Sequence, residues 1–260
     1  MIEIYKKLPG TNCGKCGLST CMAFAMKVKK SQVRLSECPF MAAETIDEGQ
    51  MHSGALSFSS YEQVSQELEK EAVGVDFKEA AEAIGGLHNA VDGKETILLK
   101  MISTLYELRK EGLFQNNSYC EDLWTKIIIY DYVHRQGRRP LTGELLPLGL
   151  FPHSASLVRA FQSNAEKKIA TGYKRDLKGL KQRCAVLGGS ETEGRVKADY
   201  SSRFDLLPHV QLYLSFWVAD EEFDADCKLL FDRSAEEHID IEYLAYLVER
   251  FADELVAGRP

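Results

Sequence analysis

The sequence predicts an α+β protein: a small cysteine-rich N-terminal unit, then a larger unit in which helices pack on an antiparallel sheet. Three observations carry that expectation. Four of the seven cysteines, Cys13, Cys16, Cys21 and Cys38, fall within 26 residues. Val210, Leu212, Leu214, Phe216 and Val218 alternate with the period of a half-buried strand. Helical periodicity flanks that strand, most clearly over 119–135 and 239–255.

The composition is that of a globular chain. Of 260 residues, 45% are apolar and 27% charged, enough to bury a core and too apolar for disorder. No apolar run approaches the ~18 residues that span a bilayer. Met1-Ile2-Glu3-Ile4-Tyr5 does not read as an export signal, so a cytoplasmic chain is expected. The net charge of −7 argues against nucleic-acid binding, which needs a basic surface. That charge is uneven: residues 1–43 carry +5 and the remainder −12. The division suggests a basic head at 1–43, a polar linker rich in small residues at 44–60, and a larger domain at 61–260.

Within the head the spacing is C-x2-C-x4-C-x16-C. Outside an oxidising compartment such a cluster points to metal rather than disulfides. Three sulfurs within nine residues enclose a centre only if the chain curls tightly, which Gly14 and Gly17 permit. Ser19 or Thr20 can cap a helix from Cys21 to about Lys30, with Met22, Ala25 and Met26 inward and Lys27, Lys29 and Lys30 in water. Cys38-Pro39 then supplies the fourth corner. Zinc competes for four thiolates, but structural zinc sites usually pair two C-x2-C knuckles and only one is present. The wider gaps suit a 4Fe–4S cubane better. The lysines either ease its reduction or form a solvated helix face.

The lead-in Tyr5-Lys6-Lys7-Leu8-Pro9, then Thr11-Asn12-Cys13-Gly14, Cys16-Gly17, Thr20-Cys21, Ala23-Phe24-Ala25-Met26 and Cys38-Pro39-Phe40, resembles the small 4Fe–4S domain of the corrinoid iron–sulfur protein large subunit. The Rnf-type electron-transport B subunit carries a similar domain. The resemblance covers about 40 residues. It implies that Cys13, Cys16, Cys21 and Cys38 ligate one 4Fe–4S cluster, and that the domain passes single electrons to a corrinoid cobalt.

Beyond the linker, helices are expected from Ser60 to Glu71 and from Asp76 to Ile84, the second stopped by Gly85-Gly86. A turn at Gly93 precedes a strand or hairpin over 96–108, although a helix fits those residues almost as well. On the helix over 119–135, Leu123, Ile127, Tyr130 and His134 form one side. Pro140, Gly143, Pro147, Gly149 and Pro152 make a long irregular loop. Ser154 caps a helix to about Ala170, and another runs from Lys174 to Leu187, stopped by Gly188-Gly189. Val196, Ala198, Tyr200 and Phe204 suggest a strand that Pro208-His209 joins to the alternating one. Lys228–Phe231 gives a third strand, and 239–255 closes the fold as a helix.

This part resembles the DUF3786 family through Leu141-Thr142-Gly143-Glu144, the Phe161 helix, Leu207-Pro208-His209-Val210, Phe216-Trp217, Asp220-Glu221-Glu222-Phe223 and Leu230-Phe231-Asp232. The resemblance covers about 60–256. It implies an architecture and an anaerobic setting rather than a reaction.

The loop from Leu141 to His153 is the best binding-site candidate outside the head, because stiff long loops often serve binding. Thr142 and Glu144 are expected to supply polar contacts and His153 an axial metal ligand; the competing reading is that glycine and proline merely steer the chain. His134 reads as a core histidine and His209 as a turn residue. The acidic run over 220–226 lacks the ligand alternation of a calcium loop and reads as a hydrated connection. Cys120, Cys184 and Cys227 read as buried small hydrophobes. No G-x-S-x-G, H-E-x-x-H, G-x-G-x-x-G or phosphate loop is present, so no catalytic reaction is assigned.

The function expected is that of a 4Fe–4S protein transferring single electrons in anaerobic, corrinoid-linked metabolism, partnered by a redox or corrinoid protein. One alternative is that the larger domain binds cobalamin or another tetrapyrrole, reduced by the cluster. The other is a scaffold protein whose cluster is purely structural.

Overall fold

A computed structural model describes residues 58–193 and 197–257, together with residues 16, 24, 25, 27, 28 and 38. The chain divides into two compact units, Met1–Val64 and Ser65–Pro260. Of the expected linker over 44–60, residues 44–57 lie outside the described residues, as do most of the expected Cys21–Lys30 helix and Val196, while residues 58–60 are helical rather than linker. Residues 24, 25, 27 and 28 are helical, with Phe24 and Ala25 buried and Lys27 exposed. Ala25 inward and Lys27 in water agree with the expected faces; Phe24, outside the expected stripe, is buried as well, and Met22 and Met26 lie outside the described residues.

Helix α1 (Phe58–Gly74) leads into the larger unit, where α2 (Phe77–Ile84) follows. Asp76 caps α2 by accepting from Glu79 N–H at 2.9 Å, and Gly85 ends it at φ 71°, where a side chain would be strained. A five-stranded antiparallel meander follows: β1 (Leu87–Val91), β2 (Lys94–Met101), β3 (Thr104–Arg109), β4 (Gly112–Gln115) and β5 (Ser118–Tyr119). The 96–108 segment is therefore a hairpin, not a helix. Its turn residue Ile102 sits at φ 55°, costly for a β-branched side chain. Ile102 is buried, and its N–H donates to Leu206 O at 2.7 Å. That bond ties the meander to the second sheet.

The next helix, α3 (Leu123–Arg135), starts later than 119 because Tyr119 belongs to β5 and Asp122 caps at Thr125 N–H, 2.7 Å away. Its interior residues from Ile127 to Val133 are all buried. Asp131 accepts both from Arg135 and from Asp240 N–H, so this buried carboxylate has partners at both oxygens.

The predicted helix over 154–170 is not continuous. Ser154 caps nothing; its hydroxyl donates back to Phe151 O at 2.7 Å. After two 3₁₀ turns come α4 (Val158–Phe161), a π-helical turn (Gln162–Glu166) and α5 (Lys167–Tyr173). The extra residue of the π turn accompanies an inward Glu166, which is 6% exposed and accepts from Leu229 N–H at 3.2 Å. A buried strand N–H thereby gains a partner. Next, α6 (Leu177–Val186) begins at its Asp176 cap rather than at Lys174.

The second sheet is also antiparallel, in the order β6-β10-β9-β8-β7. Its central strands are β8 (Tyr200–Leu207), β9 (Val210–Trp217) and β10 (Asp226–Asp232); β9 carries the Val210–Phe216 alternation but is largely buried on both faces, β8 begins at Tyr200 after Ala198, and Pro208-His209 makes the β8–β9 turn. The edges are β6 (Leu145–Pro147) and β7 (Ser190–Glu191). The chain ends in α7 (Ala235–His238) and α8 (Ile241–Ala257). Leu244, Leu247, Val248, Phe251 and Leu255 put one face of α8 into the core, which both sheets share. Two sheets rather than one are therefore present. Among the described residues no helix is long and apolar enough to cross a membrane.

Candidate functional site

In the N-terminal unit the described cysteines are Cys16, half-buried in a turn, and Cys38, 5% exposed. Cys13 and Cys21 lie outside the described residues. A buried thiolate needs a compensating positive charge. Phe24 and Ala25 are buried in the same unit, and four thiolates, were they gathered, would suit a soft metal ion.

In the larger unit, the residues that the sequence singles out in the 141–153 loop serve different ends. The Thr142 N–H and hydroxyl both donate to Asp232 Oδ1 at 3.0 Å, and Gly143 N–H donates to Oδ2 at 2.6 Å. Glu144 pairs with Arg233 at 3.0 Å, and Arg233 N–H donates to Glu144 O at 2.9 Å. This clamp sets β6 beside β10, with Leu145 opposite Asp232 and Pro147 opposite Leu230. His153 is exposed at φ 61°, ahead of a 3₁₀ turn. None of Thr142, Glu144 and His153 lines the recess at the start of this loop.

Asp232 is 2% exposed. Burial alone would raise its carboxyl, but hydrogen bonds from Thr142, Ser234 and Gly143 outweigh that cost and hold it at about 2. The anchoring role was hidden by distance along the chain. A local signal existed in Asp232-Arg233-Ser234, where Ser234 N–H and its hydroxyl close back on Oδ1 at 2.9 and 2.7 Å, an Asx-type turn.

Where the loop begins, it does line a recess of about 500 Å³, whose walls include Gly137, Arg138, Pro140, Leu141, His209 and His238. Glu79 and Glu82 of α2 stand on the other side. His238, which carries no periodicity signal, is 1% exposed. Its Nε2 lies 2.9 Å from Arg139 O; a carbonyl only accepts, so Nε2 carries the proton. Nδ1 is buried without a hydrogen-bond partner. Burial pushes the ring below its ordinary pKa, opposed by the Arg139 carbonyl and aided by His209, whose ring centroid is 5.3 Å away. His209 N–H donates to the Tyr132 hydroxyl, which in turn donates to Ile84 O.

A Cβ on Gly137 would lie 2.5 Å from His238 Nδ1 and 2.6 Å from Glu237 O. Gly137→Ala is therefore expected to lower stability by about 1–3 kcal/mol, read as a lower urea midpoint at unchanged slope.

The other sequence-selected residues are structural. His134 is not a core residue: its side chain is 45% exposed and lies 3.5 Å from Glu71, on the solvent side of α3. Asp220 accepts from Glu222 and Phe223 N–H in an exposed turn. Cys120, Cys184 and Cys227 are buried, and among the described residues no cluster of His, Cys, Asp and Glu is arranged to hold a metal ion.

Comparison with known proteins bears on both units. The model of a domain of unknown function, DUF3786, matches residues 76–254. A second family model, described as "Putative Fe-S cluster", matches residues 8–40, so the head is an iron–sulfur segment. The corrinoid/iron-sulfur protein large subunit of Moorella thermoacetica is 47% identical over 49 residues, 18% of this chain and 11% of that protein. The acetyl-CoA decarbonylase/synthase complex subunit gamma of Methanosarcina acetivorans is 51% identical over 43 residues, covering 16% and 9%. An uncharacterized protein of Methanocaldococcus jannaschii is 33% identical over 106 residues, covering 37% and 42%. The chain thus spans about a tenth of the first two relatives and under half of the third. No solved structure matches it.

Proposed function

The chain belongs to the DUF3786 family, and on that premise we propose that its iron–sulfur head is a one-electron carrier serving a corrinoid-linked partner in anaerobic metabolism. The observation that supports this most is the C-x2-C-x4-C-x16-C set lying within the segment that matches the iron–sulfur family. Cys13, Cys16, Cys21 and Cys38 would hold one 4Fe–4S cluster. Such a cluster, when bound, accepts and releases single electrons.

The protein's own residues set the conditions. Buried Cys38, Phe24 and Ala25 keep water from part of the centre, lowering the local dielectric and strengthening nearby charges. Exposed Lys27 and the +5 charge of 1–43 favour added negative charge and steer an acidic partner surface toward the head. The partner reading draws on the relatives, whose names place them in corrinoid and acetyl-CoA decarbonylase/synthase assemblies.

An anaerobic redox titration followed by electron paramagnetic resonance tests the proposal. The expected result is a reversible one-electron couple at negative potential, roughly −300 to −600 mV. A cluster with no reversible couple overturns it in favour of a structural staple. Cobalamin added to the same preparation separates the remaining reading. A spectral change with saturable binding places a corrinoid on this chain; an unchanged spectrum leaves it with the partner. The recess beside His209 is of a size that suits a small metabolite.

A further inference from the structure

We infer that two copies of this chain pair antiparallel along β1, joining their five-stranded meanders into one continuous sheet. The inference rests on the backbone of the larger unit and is independent of the cluster.

β1 is an edge strand, and among the described residues no strand pairs with its free side. Its sequence, Leu87-His88-Asn89-Ala90-Val91, contains no proline, lysine or acidic residue. Natural proteins usually protect such edges with those devices. The strand is unusually open, with Leu87 and Val91 each 67% exposed.

The β1–β2 turn fixes which backbone groups are free. Asp92 and Gly93 have φ values of 51° and 73°, the signature of a two-residue type I′ hairpin. In such a hairpin the flanking pair, Val91 and Lys94, exchanges both hydrogen bonds. Hydrogen-bonded pairs then alternate along the ladder, so in the observed register they are Val91–Lys94, Asn89–Thr96 and Leu87–Leu98. The N–H and C=O groups of His88 and Ala90 consequently point away from β2.

A two-fold axis at Asn89 uses those groups without remainder. His88 then lies opposite the partner's Ala90 and exchanges both backbone bonds with it, and the reverse pair does the same. On the outer face Leu87 meets the partner's Val91. A two-fold interface demands this kind of self-complementarity. No like charges are opposed within the strand pair. The His88 ring lies 3.2 Å from Glu95 on β2, which holds it back from the edge. The turn residue Asp92 would come opposite the partner's Gly86, where no side chain obstructs it.

Strand pairing alone buries less surface than a standard stable interface, so the dimer is expected to be concentration-dependent. Sedimentation of the full chain, kept anaerobic, over roughly 1–500 µM should show monomer passing to dimer. Ala90→Pro removes an outward donor that β2 does not use. It should weaken association by about tenfold or more with an unchanged far-ultraviolet spectrum and melting temperature. Val91→Lys, which keeps the backbone intact, should do the same by setting a charge against the partner's Leu87. If Ala90→Pro disturbs the fold, Val91→Lys alone decides. A wild-type chain monomeric throughout, or a dimer indifferent to Val91→Lys, overturns the inference.

Discussion

Cys38→Ala, prepared without air, is expected to be colourless, with bound iron and acid-labile sulfide falling from about four each per chain to under one. On the proposed ligand set, three cysteines would leave one corner of the cubane open, and the ligand lost would be Cys38, which is 5% exposed. An incoming water or buffer ligand would have to enter a sheltered position, so a stable three-cysteine cluster is not expected. The larger unit has its own core and should keep its melting transition in the variant. Cys120→Ala is the control: Cys120 is buried in that core and its replacement should leave iron and colour unchanged. Iron and sulfide retained in Cys38→Ala would remove Cys38 from the ligand set. Equal loss in Cys120→Ala would show that the colour follows folding rather than ligation.

Asp232→Ala should destabilise the larger unit by about 2–3 kcal/mol, because it leaves the N–H and hydroxyl of buried Ser234 unpaired and releases exposed Thr142 and Gly143 to water. The Thr142, Gly143 and Ser234 N–H groups all end on this carboxylate, and with them goes the tether that sets β6 against β10. Asp232→Asn keeps the shape but turns an NH2 toward one of those donors, and an intermediate loss is expected. The carboxyl also sets an acid dependence. Its folded pKa, about 2, lies below the ordinary aspartate value of 3.8, so its contribution is fully present above about pH 4. That contribution fades as pH falls from about 4 toward 2 and amounts to about 2 kcal/mol. Urea unfolding across that window should show wild type losing this increment and Asp232→Asn lacking it. Matching pH profiles in the two proteins would refute the assignment.

Local signals were legible wherever a structure is decided within a few residues. The Asp76 cap and the Gly85 stop bracket α2, and the alternation from Val210 onward gives β9. Pro208-His209 marks a turn, and Asp220 with its followers reads as a solvated connection.

The errors share a cause. His134 faces water although its helix is apolar nearly all round, and on such a helix periodicity cannot say which residue faces out. The helix expected from Ser154 is broken by a 3₁₀ turn, where Ser154 bonds back to Phe151, and by a π turn that accompanies the bond from Leu229, 63 residues away, to Glu166. The short strands β1 and β4 to β7 have too few residues for an alternating pattern to be read.

The sequence by itself determined the cysteine-rich head, the α+β class, and most of the caps, turns and long elements of the larger unit. Only the tertiary structure decided that there are two sheets, that the Thr142 and Asp232 motifs meet across 90 residues, and that His238 comes to rest beside His209. Caps and periodicities act through neighbours along the chain, and the residues alone specify them. Sheet edges and buried carboxylates are satisfied by whichever distant groups the packed core brings to them, and that choice is made only when the whole chain folds.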